Sequence, residues 1–485
     1  MKLSLPPELV RRSLDAHSAI GLVIGALMYL ICLTGTLTVL AESFERWEQP
    51  GVSEFYEATP EAVANAVDQY RQRVSETPES LWVVLPVDTL PRMHVADMEQ
   101  EWWTDSEGYL EEPPTEGWTH MLKALHVHLH LPHNIGLILV SAAGAMLIAL
   151  IVSGLLAHPR LFRDAFKLRR GGARRLEQAD LHNRLSVWGL PFHLMIAVTG
   201  AFYGLVGLLV VAAAALFYEG DRDALFSDVY GTDPVLEAPL IQANPAEAMR
   251  SLSRIAPEAT PIYLVIQKMD TRGQFMEIAA TQPGRLAYSE MYRFDAAGNY
   301  LGSQGLTSGP VGRQFLYSLY RIHFGWFGGH FTRIAWVMLG LALTVVSATG
   351  VNIWLARRAK GDWVDDAWAG FVWGSPLALG LSALATLAFG ATPLPVFLAT
   401  LGAALIYSLW QRAPRAAAGI LQMLCSVITA SLAAWHWAVL DANHIDPVSA
   451  VINSVLLGTA MILLVMGRSN LGHTTMPVQP QASAG

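Results

Sequence analysis

Apolar residues in this chain are gathered into long stretches free of Asp, Glu, Lys and Arg. A membrane helix needs roughly 20 such residues to cross about 30 Å of hydrocarbon. Four stretches of this kind lie in the first three quarters, between Asp15 and Glu42, Lys123 and Arg160, Arg184 and Glu219, and Arg333 and Arg357. A fifth, from Asp366 to Arg412, has room for two helices, with GATPLP at Gly390 to Pro395 as the turn between them. Two more follow, Arg415 to Asp441 and Asp446 to Arg468. The pattern predicts eight membrane spans.

Two polar regions interrupt the spans, about Glu42 to Trp118 and about Tyr218 to Tyr320. Each opens with a helical stretch behind a cap-like residue, at Thr59 to Val74 and Asn244 to Pro257. Strand-like alternation follows, LWVVLP and RMHVADMEQEWWT in the first, IYLVIQ, QFMEIAAT and AYSEMYRF in the second. Each closes on a turn, DSEGYL or DAAGNYL. The two read as copies of one small α+β module. The first is acidic, which suits a solvated face or cationic and metal-bearing partners. The expected fold is thus an all-α polytopic membrane protein of about eight helices with two small α+β modules on its outer side. Its segments are 1–41, 42–119, 120–217, 218–320, 321–358, 369–468 and 469–485.

Composition agrees with this and narrows the chemistry. With 53% hydrophobic and 15% charged residues, the chain is neither an ordinary soluble domain nor a disordered one, and a net charge of −8 excludes a generally basic nucleic-acid binder. Lys and Arg concentrate at the amino-terminal end (Lys2, Arg11, Arg12), in His158 to Asp180, in LARRAK, in QRAPR and in MGRSN, whereas DANHID at Asp441 to Asp446 is acidic. By the positive-inside rule both termini face the cytoplasm. The first apolar run is too long for a cleaved signal sequence and reads as an anchor. Cys32 and Cys425 both lie in apolar runs with no C-x-x-C spacing, which argues against disulfides, thiolate clusters and structural zinc.

The informative feature is a repeat. Each of the first four spans carries a hydroxyl residue followed by glycine: Thr34-Gly35, Ser153-Gly154, Thr199-Gly200 and Thr349-Gly350. Alone this is a helix-packing signal. Histidines keep register with it, however. His17 precedes Gly35 by 18 residues and His182 precedes Gly200 by 18; His126 precedes Gly154 by 28 and His323 precedes Gly350 by 27; His133 and His330 follow the latter two by seven. Spans one and two are therefore duplicated as three and four. His17 and His182 fall at the inner end, and the cluster His126, His128, His130, His133 falls with His323 and His330 at the outer end. Facing histidines in a four-helix bundle suit bis-histidine b-type haem, one near each face. His193, about three turns inside its span, is an alternative inner ligand to His182, and His130, one turn deeper, an alternative to His126. His158, followed by Pro159, reads as supporting rather than ligating. FGWFGG after His323 lets a flat macrocycle approach, with Trp326 lining it. Zinc suits HVHLHLPH less well, because i, i+2 residues do not share a helix face. His94 and His120 read as surface residues, His444 and His473 as interfacial anchors, and His436 within WHW as part of an aromatic belt.

At these residues the chain resembles the PepSY-associated transmembrane family of bacterial inner-membrane proteins. The carrying motifs are DAHSAIGLVIGALMYLICLTGTL, LHVHLHLPHNIGLILV with SGLLAHPRLFRDAFKLR, DLHNRLSVWGLPFHLMIAVTGAF, and YRIHFGWFGGHFTR with ATGVNIW, over roughly Ser13 to Arg358. The resemblance makes the modules PepSY-like and periplasmic, and implies haem held by the core histidines in a membrane reductase that releases iron from siderophores. It does not extend to the last four spans, which look like an appended structural or docking bundle. The resulting expectation is a transmembrane electron carrier with two haems b that reduces ferric siderophore, a hard-oxygen chelate that binds Fe(II) more weakly. With no G-x-G-x-x-G after a strand and no cysteine framework, the donor would be quinol or a cytoplasmic reductase. The alternative is a non-enzymatic PepSY module that binds an envelope protein or peptidase. Charge-free spans argue against an ion-coupled permease.

Overall fold

The computed structural model describes residues 5–115, 117–158, 160–164, 166, 174–236, 239–358, 361–439 and 447–475. The DANHID turn with His444, most of the basic loop, the tail from 476 and the His473 side chain lie outside the described residues.

In chain order the elements are α1 (Pro7–Thr38), α2 (Ala41–Glu48), α3 (Pro60–Arg73), β1 (Ser80–Val84), β2 (Met93–Ala96), β3 (Glu101–Thr104), α4 (Trp118–His128), α5 (His133–Ala157), α6 (Leu161–Asp164), α7 (Arg174–Trp188) and α8 (Leu190–Phe217). There follow α9 (Arg222–Tyr230), α10 (Pro245–Ile255), β4 (Thr260–Gln267), β5 (Phe275–Thr281), β6 (Glu290–Asp295), β7 (Tyr300–Ser303), α11 (Val311–Phe324), α12 (Gly329–Leu355), α13 (Trp363–Phe389), α14 (Pro393–Gln411), α15 (Pro414–Val439) and α16 (Pro447–Thr475). Among the described residues, eight of these helices are long and apolar enough to cross a membrane: α1, α5, α8, α12, α13, α14, α15 and α16. Their ends follow local chemistry. Asp362 forms a capping box with Asp365 at the start of α13, and Gly390, in the left-handed conformation, ends that helix before Pro393 opens the next. GATPLP is thus the turn expected of it.

The chain divides into two compact units, residues 1–50, 116–198 and 335–485 in one, and 51–115 and 199–334 in the other. The first is helical. Ile24, Met28 and Cys32 of α1 pack with Ala143 and Leu147 of α5, Ala197 of α8 and Leu343 of α12. A second cluster joins α2 and α4, through Trp47, Trp118, Leu122 and Leu125, to Leu379 of α13, Phe397 of α14, Leu432 of α15 and Ile452 of α16.

The second unit holds a seven-stranded antiparallel sheet in the order β3-β2-β1-β4-β5-β6-β7. Both modules expected from the alternation are present as helix followed by strands, but they share one sheet. Strand β1 of the first pairs with β4 of the second, from Ser80 opposite Gln267 to Val84 opposite Tyr263. Their helices also meet, through the ion pair of Arg250 with Glu61, and both bury apolar faces, with Val63, Ala66, Tyr70, Ala248 and Leu252, in one core over the sheet. Joining the sheets removes two exposed edges and lets two small modules bury one core. RMHVADMEQEWWT is not one strand but the β2–β3 hairpin, turned where Asp97 accepts from the Glu99 and Gln100 amides. DAAGNYL turns β6 into β7 through Asp295, which accepts from the Asn299 amide.

Candidate functional site

Three of the four registered histidines do not stand on membrane spans. His126 is on α4, His182 on α7 and His323 on α11, each a separate helix just before a span; His17 alone is within its span, α1. Helix α4 ends at Leu129 and His130, both left-handed, and α11 ends at left-handed Gly325. These breaks cost conformational energy for Leu129 and His130. They also move His130 off the helix. Its Nε2 lies 2.9 Å from the Met121 carbonyl, so it is not a deeper version of His126.

The glycines of the repeat serve the histidines of neighbouring helices. His17 faces Gly154, His126 faces Gly35, His182 faces Gly350 and His323 faces Gly200. A methyl group built on these glycines would lie 3.1 Å from the His17 ring at Gly154 and 3.4 Å from the His182 and His323 rings at Gly350 and Gly200; at Gly35 it would overlap the His126 ring. The anchoring repeats as well. His17 Nδ1 lies 3.0 Å from the Leu150 carbonyl, His126 Nδ1 3.0 Å from that of Ile31 and His182 Nδ1 3.0 Å from that of Val346, in each case four residues before the glycine. The hydroxyl just before the glycine adds a contact to Nδ1 from Ser153 (3.3 Å) to His17, from Thr349 (3.2 Å) to His182 and from Thr199 (2.8 Å) to His323. A carbonyl only accepts, so Nδ1 carries the proton of each carbonyl-bonded ring and Nε2 keeps its lone pair. Ser153 and Thr349 donate their own protons to Ala149 and Val345, which leaves their oxygens to accept. Backbone-held Nδ1–H is the arrangement that fixes a metal-binding imidazole.

His17 and His182 come together. Their ring centroids are 6.3 Å apart and their planes at 84°. Neither Nε2 has a hydrogen-bond partner among the described residues. Both rings line a cavity of about 220 Å³ between α1, α5, α7, α8 and α12, with Leu147, Leu150, Met28 and Leu343 among its apolar walls. That is far more room than a buried water requires. Two metal–nitrogen bonds of about 2 Å, plus about 1 Å from each nitrogen to its ring centre, add to about 6 Å, so an ion between the rings matches the spacing. The apolar walls and paired neutral imidazoles fit a haem. Among the described residues no three His, Cys, Asp or Glu side chains converge on a metal-sized site.

The remaining histidines divide clearly. His193 lines the same cavity but is not paired with His17; it is 3% exposed, packs against Gly189 of its own helix turn and accepts or donates nothing at Nε2 among the described residues. His158, just after α5, lines the cavity beside Arg357. His133 and His330 are exposed at the starts of α5 and α12. His323 lies against Tyr203 and Phe324, and Trp326 packs with Tyr320, Phe324 and Tyr288. His436 is no aromatic-belt residue. It is fully buried, stacked on Trp47 at 4.5 Å, with Nε2 2.8 Å from the Trp47 carbonyl and Nδ1 3.1 Å from Asn453. Sequence reasoning took the Ser/Thr-Gly pairs as packing alone and missed their hydroxyls and the preceding carbonyls as imidazole anchors. The only signal available was the constant spacing of the pairs.

The family model for the PepSY-associated TM region matches residues 14–357 of this chain. An uncharacterized protein of Pseudomonas aeruginosa is 28% identical over 241 residues, covering 46% of this chain and 60% of that protein. The match thus spans less than two thirds of the relative's length.

Proposed function

Because the chain belongs to the family of the PepSY-associated TM region, we propose that its helical core holds b-type haem and conducts electrons across a bacterial inner membrane to a periplasmic ferric chelate, most plainly a ferric siderophore. The observation that supports this reading is the His17–His182 pair, anchored at Nδ1 and facing into one apolar cavity. These two histidines would hold the inner haem. A haem bound there supplies reversible one-electron chemistry in an apolar setting.

The protein's own groups set the conditions. The Leu150 and Val346 carbonyls keep Nε2 of each ring unprotonated, and through the Nδ1–H bond they make it a stronger ligand. Gly154 and Gly350 give the rings room, and leucine and methionine side chains supply apolar walls. His126 and His323 each carry the same kind of Nδ1 anchor and the same glycine neighbour as the inner pair, which supports imidazoles prepared for a second haem. The lysine and arginine distribution supports an orientation with His17 and His182 toward the cytoplasm and the strand modules in the periplasm. Quinol or a cytoplasmic reductase would then be the donor.

Detergent-purified protein from haem-replete cells tests the reading. Dithionite should give the sharp α-band of low-spin, six-coordinate haem at about two haems per chain. His17→Ala and His182→Ala should each remove one haem, and His193→Ala none. A colourless wild-type protein refutes the proposal.

A further inference from the structure

The cavity that holds His17 and His182 is not uniformly apolar. Beyond Gly350 and Gly154 its lining includes Arg357, which follows α12, and His158, which follows α5. Arg357 lies two residues past the end of α12, and its side chain lines the cavity there. Its neighbour Arg358 is neutralised by Asp362 and lies 3.7 Å from Asp365. Arg357 has no carboxylate partner within ion-pair distance among the described residues. Burial, and after it this guanidinium, holds the pKa of His158 below the ordinary histidine value, which puts the two side chains within electrostatic reach of each other. A cavity that is apolar in its body and cationic at one end, with an imidazole near the cation, is complementary to a ligand that is apolar in its body and carries carboxylates at one edge.

We propose that Arg357 and His158 form an oxyanion seat that takes the propionate carboxylates of the haem in this cavity. The inference rests on the haem reading given above and adds what would orient the macrocycle within the site. His158 is then neither an axial ligand nor a bystander. Its imidazole N–H donates to the same carboxylates that the guanidinium binds as a charge-assisted partner. An anionic lipid headgroup offers similar oxyanion chemistry at a bilayer surface, so the test must separate the two sources.

The full-length protein, stripped of haem and placed in nanodiscs of neutral lipid, is titrated with haem and with haem dimethyl ester, whose propionates carry no charge. Soret absorbance and the low-spin spectrum report binding without any turnover. Wild-type protein should bind haem about tenfold or more tightly than the diester, and Arg357→Gln should bring the two within about threefold, with Arg357→Lys between them. His158→Gln should lower the preference by a smaller factor. Equal binding of haem and diester by the wild type overturns the seat, and that comparison needs no variant to fold. An unchanged preference in Arg357→Gln overturns the role of that residue. If Arg357→Gln loses only an effect of added phosphatidylglycerol while the haem preference persists, the seat serves lipid and the proposal fails. If neither porphyrin gives a six-coordinate spectrum that His17→Ala abolishes, the haem reading itself has failed.

Discussion

Gly35→Ala would place a methyl group where the His126 imidazole now lies. A Cβ built at that position falls 2.8 Å from Nδ1 and 3.1 Å from Nε2, inside the closest approach that side chains tolerate. The ring cannot simply slide, because α4 is fixed on its other side by Trp118, Leu122 and Leu125 in the second helical cluster. It must rotate away from α1 and lose the 3.0 Å bond to the Ile31 carbonyl. Overpacking of this kind costs about 1–3 kcal/mol, and the lost hydrogen bond about 0.5–1.5 kcal/mol. Together they weaken whatever His126 ligates by about one to three powers of ten. The same replacement at Gly350 is mild, since its Cβ would sit 3.4 Å from His182 Cε1, an ordinary contact, and Gly154 is intermediate at 3.1 Å. Haem per chain and the rate of haem transfer to apomyoglobin should therefore rank Gly35→Ala as most damaged, Gly154→Ala next and Gly350→Ala near the wild type. Equal loss in all three would show that the glycines serve something other than the imidazoles, and would remove the structural link between the repeat and the histidines.

Three further outcomes follow from other parts of the molecule. Asn453→Leu strands Trp47 Nε1 and His436 Nδ1, each buried and now bonded to that amide at 3.0 and 3.1 Å, and should cost about 1–3 kcal/mol per stranded group, read as a lower midpoint of thermal unfolding in detergent. Glu290→Gln replaces a buried carboxylate that accepts from the Leu306 and Thr307 amides and the Thr307 hydroxyl; it should destabilise the 304–309 turn by about 1–3 kcal/mol and show as faster proteolysis there. Asp97 is opposed by burial, but bonds from the Tyr70 hydroxyl and the Glu99 and Gln100 amides prevail and hold its pKa below the ordinary value. A depressed folded pKa contributes stability above the unfolded value near ~3.9 and loses it as pH falls through the folded one, so wild type should lose stability faster than Asp97→Asn below about pH 4.

The spans were legible because absence of charge over twenty residues leaves few alternatives in water or lipid. The duplication was legible too, since Thr/Ser-Gly and histidine kept constant spacing in both halves. What spacing cannot report is which helix a side chain meets. His17 was measured against Gly35 of its own span, yet it packs on Gly154, because that offset compares positions along a helix and carries no information across the bundle. The breaks at Leu129 and Gly325 were hidden for a related reason: apolar and histidine residues run through them without interruption, and a left-handed leucine has no sequence signature. The shared sheet was illegible because β1 and β4 are separated by more than 170 residues, and alternation marks a strand without naming its partner. His436 misled for a simpler reason. An aromatic-flanked histidine near a span end looks the same whether its polar atoms meet water or, as here, a backbone carbonyl and an amide.

The last four spans lie beyond the 14–357 match, yet they are built into the helices that bear the histidines. Helix α4 carries His126 but is only eleven residues long, too short to hold its shape alone. Its amino end is capped by Glu48, which accepts from the Trp118 and Thr119 amides at 2.5 and 2.9 Å. Trp118 Nε1 reaches the Leu379 carbonyl of α13 at 3.0 Å, and the preceding helix α2 is held through Trp47 to Asn453 and His436 of α16 and α15. A corresponding tie exists at the other end of the core. Trp368 of α13 donates to Asn352 at 2.9 Å, and Asn352 donates to Gln178, four residues before His182 on α7. These ties join buried or half-buried polar groups whose loss would strand a partner out of reach of water, so they hold direction as well as position. Helix α4, which carries His126, is therefore fixed by two walls, one from the duplicated core and one from the appended bundle, whereas α7, which carries His182, is tied to α13 only through Asn352 of α12. A core of four spans alone would leave the tryptophan and leucine face of α4 open to lipid, with nothing to set the angle at which its histidine meets α1.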